Sequence, residues 1–160
     1  SDFGAVLDML TDRIATLCLY IVLGHIYVPY FLWFMALASL DIVSHWVHTH
    51  STQLLKGGSH KSLGAGDNAL LRAYYTMPGF MLVLCVGQEV CLLALYAMHA
   101  FHGWETGVEG LGSTAAIALA MAPLALLKQV VNVVQMAVAF DKIAASDAAG
   151  RTTTANTKAA

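Results

Sequence analysis

The sequence has few charged residues. Of its 160 residues, 11% are charged and 58% are hydrophobic, whereas an ordinary soluble domain carries about 25% charged residues. A chain this short has too few polar side chains to cover the surface of a water-soluble globule, while lipid tolerates an apolar exterior. The shortage of charge therefore argues against an ordinary soluble domain and predicts an integral membrane protein.

Basic residues and paired cysteines are also scarce. The formal net charge is -2, and the eight Lys and Arg residues never form a run that could follow a phosphate backbone, so we expect no nucleic-acid binding. Cys18, Cys85 and Cys91 are odd in number, lie in apolar stretches and lack CxxC spacing. We interpret them as packing residues, not as zinc ligands or disulfide partners.

The main feature of the sequence is a set of long apolar segments. Four can be marked, at about 14–27, 30–47, 74–98 and 111–140, and a spanning helix needs about 17 to 25 residues. Pro29 predicts a tight turn between the first two segments. The expected fold class is an all-α polytopic membrane helical bundle with four transmembrane helices. We expect residues 1–149 to form the membrane domain and residues 150–160, which are small and polar, to form a flexible cytosolic tail.

The placement of basic residues predicts the orientation. The segment 99–110 contains no Lys or Arg, and seven of the eight basic residues fall on the opposite side of a four-span arrangement. The side richer in Lys and Arg usually faces the cytosol. The basic side, which includes the start of the first segment, is therefore expected to be cytosolic.

Gly4, Asp8 and Asp12 form the pattern GxxxDxxxD near the start of the chain. On a helix, residues four apart lie on one face, so two carboxylates and a glycine would share a stripe. Neighbouring carboxylates repel unless a cation lies between them, and oxygen ligands suit Mg²⁺ or Mn²⁺. The alternative is a first helical turn whose acids merely complement the helix dipole. Spacing alone leaves both interpretations open.

A family resemblance favours the first interpretation. GxxxDxxxD is the second half of the motif DxxDGxxAR…GxxxDxxxD of the CDP-alcohol phosphatidyltransferases, and the first half is absent here. Further blocks resemble the eukaryotic, inositol-using branch of that family: FGAVLDMLTDR, SLDIVSHWVHTHS, SHK, LRAYYT and APLALLK. The resemblance covers the chain to about residue 149. It implies a fold of six transmembrane helices, of which this chain would supply the last four.

The same resemblance implies a reaction. Asp8 and Asp12 would be ligands of a two-metal centre with Mg²⁺ or Mn²⁺, and Asp12 would also be the base that deprotonates an alcohol. Gly4 and Arg13 would lie against the nucleotide phosphates, although Arg13 is equally well explained as an interfacial anchor. The implied substrates are CDP-diacylglycerol and myo-inositol. The implied setting is the cytosolic face of the endoplasmic reticulum, with the protein as a homodimer in membrane lipid.

Candidate inositol-binding residues come from two places. The first is a shared face of the second apolar segment, and the second is a glycine-flanked loop; together they comprise Asp41, His45, His48, Ser59, His60 and Lys61. An acid in an apolar helix is costly enough to imply a polar cavity or partner. A buried hydrogen bond that merely joins helices explains the first set equally well, and a solvated loop explains the second.

Glu89 and Lys128 interrupt the last two apolar segments. Each would cost about 2.5 to 3.5 kcal/mol if left unpaired at mid-membrane. A mutual ion pair is one interpretation, although Lys128 would lie about 10 Å deeper than Glu89 at 1.5 Å per residue. Contact between Lys128 and a phosphate is another.

Two rival functions stand beside the inositol reaction. The aspartates do not select the alcohol, so glycerol phosphate or choline is a possible acceptor. A non-catalytic helical bundle or transporter subunit, in which the intramembrane charges tie helices together, is the rival from another class. We also expect the chain alone to be inactive, because two carboxylates are too few to hold a pair of divalent ions.

Overall fold

The computed structural model of the protein describes residues 1–56, 68–101 and 112–159. These ranges form helices and contain no β-strand, which confirms the all-α class. The five α-helices are joined in part by a 3₁₀ turn at Val28–Tyr30, and their bounds are α1 Asp2–Ile26, α2 Phe31–Lys56, α3 Ala69–Thr76, α4 Phe80–Ala100 and α5 Ser113–Ala159.

Three segments of the described chain are long and apolar enough to cross a membrane: Val28–Leu54, Phe80–Ala100 and Ser113–Arg151. The prediction of an integral membrane bundle is confirmed, but its count of four spans is wrong by one. The apolar part of α1 follows Arg13 and ends at Ile26, which is about 20 Å of helix at 1.5 Å per residue. A hydrocarbon core of about 30 Å is thicker than that. The apolar part of α1 is too short to cross it, because Asp8, Asp12 and Arg13 occupy the first half of the helix.

Proline and glycine set the breaks between helices. At Pro29 the chain makes the expected tight turn, in which the Tyr30 amide donates to the Tyr27 carbonyl at 2.8 Å. A second break separates α3 from α4 at Gly79, whose φ of 76° lies in the left-handed region that favours glycine. The span that sequence placed from residue 74 therefore begins at Phe80, because α3 ends before this turn.

Contacts between helix ends show which residues share a side of the bundle. The Thr49 hydroxyl, near the end of α2, donates to the sulfur of Met9 at 3.3 Å, near the start of α1. At the other end, the Tyr27 hydroxyl donates to the Leu95 carbonyl at 2.8 Å. The aspartates of α1 therefore lie on the same side as the end of α2 and the start of α4.

The core has two apolar clusters with a polar layer between them. Tyr20, Leu23, Phe34, Ala38 and Leu92 form the first cluster, and Leu71, Tyr74, Leu84 and Val131 form the second. On α4, the buried Gln88 lies one turn after Leu84 and one turn before Leu92, which places it between the clusters. Asp41 and Lys128, which are buried, belong to this polar layer.

The last helix continues well past the apolar part of the chain. Residues 150–159 are helical as the end of α5, and Ala160 lies outside the described residues. Helical backbone does not measure mobility, so the flexible tail stays a prediction.

Candidate functional site

The two motif aspartates lie on the exposed face of α1. Asp8 and Asp12 are one helical turn apart, and Gly4 lies one turn before them with its amide donating to the Ser1 hydroxyl at 3.2 Å. The Asp12 side chain is 64% exposed. Within the described ranges, no three His, Cys, Asp or Glu side chains come together as a metal site. α1 therefore offers two carboxylates of the right chemistry, and metal binding by them stays a prediction.

Arg13 connects this exposed face to the interior. Its Nη1 atom donates to both carboxylate oxygens of Asp41 at 2.8 Å, and its Nη2 atom lies 3.9 Å from the Asp12 carboxylate. Asp41 is 1% exposed. The guanidinium thus joins a buried carboxylate on α2 to a solvent-accessible one on α1.

The polar layer continues from Asp41 onto α5. The Asn132 amide donates to Asp41 at 3.3 Å, and the Lys128 ammonium donates to the Asn132 side-chain oxygen. Lys128 is 1% exposed, and its nitrogen lies 6.0 Å from the centre of the Tyr74 ring on α3, within reach of a cation–π interaction. Burial raises the pKa of the Tyr74 phenol, so this hydroxyl is harder to ionise than that of a solvent-exposed tyrosine.

Glu89 and Lys128 do not form the ion pair that sequence offered as one interpretation. Glu89 instead accepts a hydrogen bond from the Thr16 hydroxyl at 2.6 Å, and each of the two charges has its own neutral partner. A further bridge is made by the Gln129 amide, which donates to Gln88 at 2.9 Å and to the Tyr20 hydroxyl at 3.1 Å. Helices α1, α4 and α5 are therefore joined by polar side chains at this depth.

Sequence reasoning missed most of these neutral partners, namely Thr16, Tyr20, Gln88, Gln129 and Asn132. A signal was present on α5, where the polar residues Lys128, Asn132 and Gln135 are spaced four and three residues apart. All three are buried. That spacing puts them on one helix face. A polar face on an apolar helix is typical of a site or of a contact within a bundle.

A cavity of about 380 Å³ opens between α1, α4 and α5, next to Asp12 and Arg13. Its polar lining comes from Asp12, Arg13, Thr16, Gln88, Glu89 and Lys128, and its remaining wall includes Cys85. This volume lies within the range of about 300 to 1,000 Å³ that is typical of small-molecule sites. It brings together Asp12 and Arg13, which sequence singled out for the reaction, with Glu89 and Lys128, whose roles sequence left open.

The other candidate residues lie elsewhere. Nδ1 of His45 is 2.8 Å from the Asp41 backbone carbonyl, within its own helix. His48 stacks on Tyr75 with ring centres 5.8 Å apart, and its Nε2 atom is 3.3 Å from the Tyr75 hydroxyl. Neither histidine lines the cavity. Ser59, His60 and Lys61 lie outside the described residues, so their predicted role in inositol binding stays a prediction.

Comparison with known proteins identifies relatives of one kind. The chain is 40% identical over 149 residues to the CDP-diacylglycerol–inositol 3-phosphatidyltransferase of Homo sapiens, covering 93% of this chain and 69% of the human protein. It is 33% identical over 161 residues to the enzyme of the same name from Schizosaccharomyces pombe, covering 92% and 68%. Enzyme 1 of that name from Arabidopsis thaliana is 38% identical over 151 residues, covering 88% and 64%.

Two other comparisons gave no match: no family model and no solved structure resembles the chain at a significant level. The relatives carry the assignment, because their identity to this chain extends over about nine-tenths of its length. The inositol-using branch that the sequence blocks resembled is thereby confirmed. The chain belongs to the CDP-diacylglycerol–inositol 3-phosphatidyltransferase family.

Proposed function

We propose that this chain forms the membrane domain of an enzyme that transfers the phosphatidyl group of CDP-diacylglycerol to myo-inositol and releases CMP. The observation that carries the proposal is identity of 40% to a curated relative of that name over 93% of the chain. The GxxxDxxxD face of α1 supports it, because Asp8 and Asp12 lie exposed on one side of the helix.

In the proposed reaction, a hydroxyl oxygen of inositol forms a bond to the β-phosphorus of CDP-diacylglycerol. The bond from that phosphorus to the CMP oxygen breaks, and the hydroxyl proton passes to the Asp12 carboxylate, which acts as general base. The exposure of Asp12 leaves it accessible to an incoming hydroxyl. Arg13 lies beside it and offers a positive charge for a phosphate oxygen.

We also propose that Asp8 and Asp12 contribute ligands to Mg²⁺ or Mn²⁺. Two carboxylates one helical turn apart have the oxygen chemistry that these ions prefer, and both face away from the protein core. They supply part of a ligand set. A divalent ion held there would neutralise the pyrophosphate and stabilise the departing CMP.

The proposed setting is the endoplasmic reticulum membrane, with Asp8 and Asp12 on the cytosolic side and the protein as a homodimer. The orientation is supported by Arg13 in the first half of α1 and by the basic residues near the ends of α2 and α5, which lie toward the side of the aspartates. The dimer and the organelle are supported by the family. Mass photometry of the purified protein in lipid nanodiscs tests the dimer.

Substitution of the aspartates tests the proposed reaction. In the gene product that carries this chain, Asp8→Asn and Asp12→Asn should each reduce inositol-dependent CMP release by at least about a hundredfold, as is usual for loss of a group acting directly at the reacting centre. The matched control is Asp147→Asn, an exposed aspartate near the end of α5. Its rate should stay unchanged, and all three variants should reach the membrane at equal abundance.

The results also separate the rival functions. If CMP release requires glycerol phosphate or choline instead of inositol, this protein uses a different acceptor. Absence of CMP release with every alcohol, from protein that is folded and supplied with Mg²⁺ or Mn²⁺, would favour a non-catalytic bundle. Full activity of either aspartate variant would refute the assignment of the two carboxylates.

A further inference from the structure

The outward face of α2 carries an apolar surface with a tryptophan at each end. Trp33 and Trp46 are 71% and 72% exposed. The exposed residues between them are apolar except Ser39, whose hydroxyl donates to the Met35 carbonyl at 2.8 Å. Beyond Trp46, the next exposed residues are polar, namely His50, Thr52 and Gln53. The apolar outward face of α2 therefore ends at Trp46.

The two tryptophans mark the depths at which α2 meets the membrane surfaces. Tryptophan and tyrosine are enriched at membrane–water interfaces, because each has an apolar ring and a polar hydrogen-bonding group. At 1.5 Å per residue, Trp33 and Trp46 are about 20 Å apart along the helix. The hydrocarbon core of a typical bilayer is about 30 Å thick, so these two anchors are too close together for it.

The same short span recurs on α1 but not on α4. The apolar part of α1, from Ile14 to Ile26, is about 20 Å long. By contrast, the 21 apolar-rich residues Phe80–Ala100 of α4 extend about 30 Å. A bilayer meets a short apolar surface by becoming locally thinner. The mismatch of about 10 Å falls on the side formed by α1 and α2, which we call the short side.

The depth of Asp12 relative to Trp46 follows from the packing of α1 against α2. The Thr49 hydroxyl contacts the Met9 sulfur at 3.3 Å, and a Cβ atom added at Gly24 would lie 3.6 Å from the Cβ of Phe34. Between these two contacts, the residue number rises by 15 on α1 and falls by 15 on α2. The helices are therefore antiparallel with a constant register. Asp12 comes three residues after Met9, and Trp46 comes three residues before Thr49, so Asp12 and Trp46 lie at the same depth.

We propose that Trp46 anchors the short side in the headgroup region, holds the bilayer thin there, and so brings lipid phosphates to the depth of Asp12. This inference rests on the proposed function and specifies how its lipid substrate approaches. The acyl chains of CDP-diacylglycerol stay in the hydrocarbon, which fixes the depth of the pyrophosphate. In a bilayer of ordinary thickness, that pyrophosphate would lie about 5 Å farther out than on the short side, if the mismatch is shared by the two leaflets.

Trp46 is thus a positioning residue, since it acts on the lipid and not on the reacting atoms. A divalent ion bridges a carboxylate and a phosphate only when each oxygen lies about 2 Å from the ion. A displacement of about 5 Å is larger than this contact. A lipid meeting a bilayer of ordinary thickness would have to rise out of the hydrocarbon before it could react.

Fluorescence quenching tests the depth of Trp46. The gene product that carries this chain is reconstituted with Trp46 as its single tryptophan, Trp33, Trp104 and any others being replaced by phenylalanine. Lipids brominated near the headgroup should quench Trp46 more strongly than lipids brominated near the chain ends, in bilayers of short and of long acyl chains. Stronger quenching by the deep bromines would overturn the inference, as would the absence of quenching by either lipid.

Substitution of Trp46 tests its effect on the reaction. Trp46→Leu keeps an apolar residue on the outward face and removes the group that prefers the interface. In bilayers of long acyl chains, the KM for CDP-diacylglycerol should rise about threefold to tenfold, because the lipid must move outward to react. The KM for inositol, which is soluble in water, should stay within about twofold. In bilayers of short acyl chains, the KM for CDP-diacylglycerol should return to that of the unaltered protein.

Trp46→Tyr is the matched control, because tyrosine also prefers the interface. Its KM for CDP-diacylglycerol should equal that of the unaltered protein in every bilayer. A rise for Trp46→Leu that is equal in short-chain and long-chain bilayers would show that Trp46 acts through packing, and this would overturn the inference. An unchanged KM for Trp46→Leu in long-chain bilayers would also overturn it.

The inference and the proposed function fail differently. If the unaltered protein releases CMP with inositol but Trp46→Leu shows no dependence on acyl-chain length, the inference fails and the proposed function stands. If the unaltered protein releases no CMP with inositol, the proposed function fails. The role of Trp46 in the reaction then fails with it, whereas the quenching experiment still measures the depth of Trp46.

Discussion

Arg13 lies between two carboxylates in very different surroundings. It donates twice to Asp41, which is 1% exposed, and approaches Asp12, whose side chain is 64% exposed. A buried carboxylate without a counter-charge is strongly unfavourable, so Arg13 satisfies Asp41 first. Its orientation toward Asp12 follows from this pairing. At the scale of single residues, Asp41 acts as a tie between α1 and α2 that also positions Arg13.

Removing the charge of Asp41 should therefore destabilise the fold. Asp41→Asn leaves Arg13 partly buried, with an uncharged amide in place of its closest carboxylate and with Asp12 at 3.9 Å as the remaining counter-charge. Loss of one partner of a buried pair costs about 3 to 5 kcal/mol. We expect the lower end of this range, because Arg13 can shift toward Asp12. Thermal unfolding in detergent measures the change, and Asp147→Asn serves as the exposed control. Equal melting temperatures for the two variants would contradict the buried ion pair.

Single residues also show where sequence reasoning was sufficient. Asp8 and Asp12 are four apart, so helical geometry alone places them on one face, as α1 has them. Arg13 and Asp41 are 28 positions apart, and Thr16 and Glu89 are 73 apart. No local rule predicts such partners, because they depend on how three helices pack.

Between elements, the close approach of α4 and α5 depends on Gly87. A Cβ atom at this position would lie 2.6 Å from the Cβ of Leu124 and 2.7 Å from one of its methyl groups. Because the position of a leucine Cβ is fixed by its backbone, the clash with an added Cβ at position 87 can be removed only if one of the two helices moves. The close contact at Gly87 lies one residue before Gln88 and two before Glu89, so the packing of α4 against α5 also sets the width of the cavity.

Adding one methyl group at this contact should separate the helices. We expect Gly87→Ala to lower the stability by about 1 to 3 kcal/mol, which is typical of overpacking, although alanine favours helix over glycine. Gly150→Ala, where the added atom has nothing within 4 Å, should gain up to about 1 kcal/mol from helix propensity. Melting temperatures in detergent compare the two. A stabilised Gly87→Ala variant would refute the tight contact.

Element bounds were predicted well where composition controls them and less well where charge or a turn intervenes. Two of the three candidate spans, near α2 and α4, overlap the predicted segments closely, because apolar length is visible in the sequence. α1 was expected to span and is too short in its apolar part, since its first half carries the motif aspartates. The break at Gly79 moved the start of α4, because a left-handed glycine ends α3 before the membrane segment begins.

On the scale of the whole molecule, the end of α2, the start of α4 and the aspartates of α1 share one side. The abundance of Lys and Arg at this side predicts that it is cytosolic. A substrate that carries a cytidine nucleotide would then reach Asp12 from the cytosol.

Cysteine labelling tests this orientation in sealed microsomes. In a variant whose native cysteines are replaced by serine, Thr52→Cys near the end of α2 should react with a membrane-impermeant maleimide. Tyr30 lies in the turn at the opposite end of the bundle and is 59% exposed. The Tyr30→Cys variant should react only after the membrane is permeabilised. The reverse pattern would place Asp8 and Asp12 in the lumen and would contradict the proposed site of the reaction.

The sequence by itself determined the membrane class, the helical fold and the GxxxDxxxD face, because each depends on composition or on spacing within one helix. Its similarity to known enzymes determined the family. The tertiary structure alone decided the partner of each charged side chain: Asp41 pairs with Arg13, Glu89 with Thr16, and Lys128 with Asn132. The physical reason is that burial makes each charge require a partner, while the packing of α1, α4 and α5 selects the partner and leaves the cavity beside Asp12.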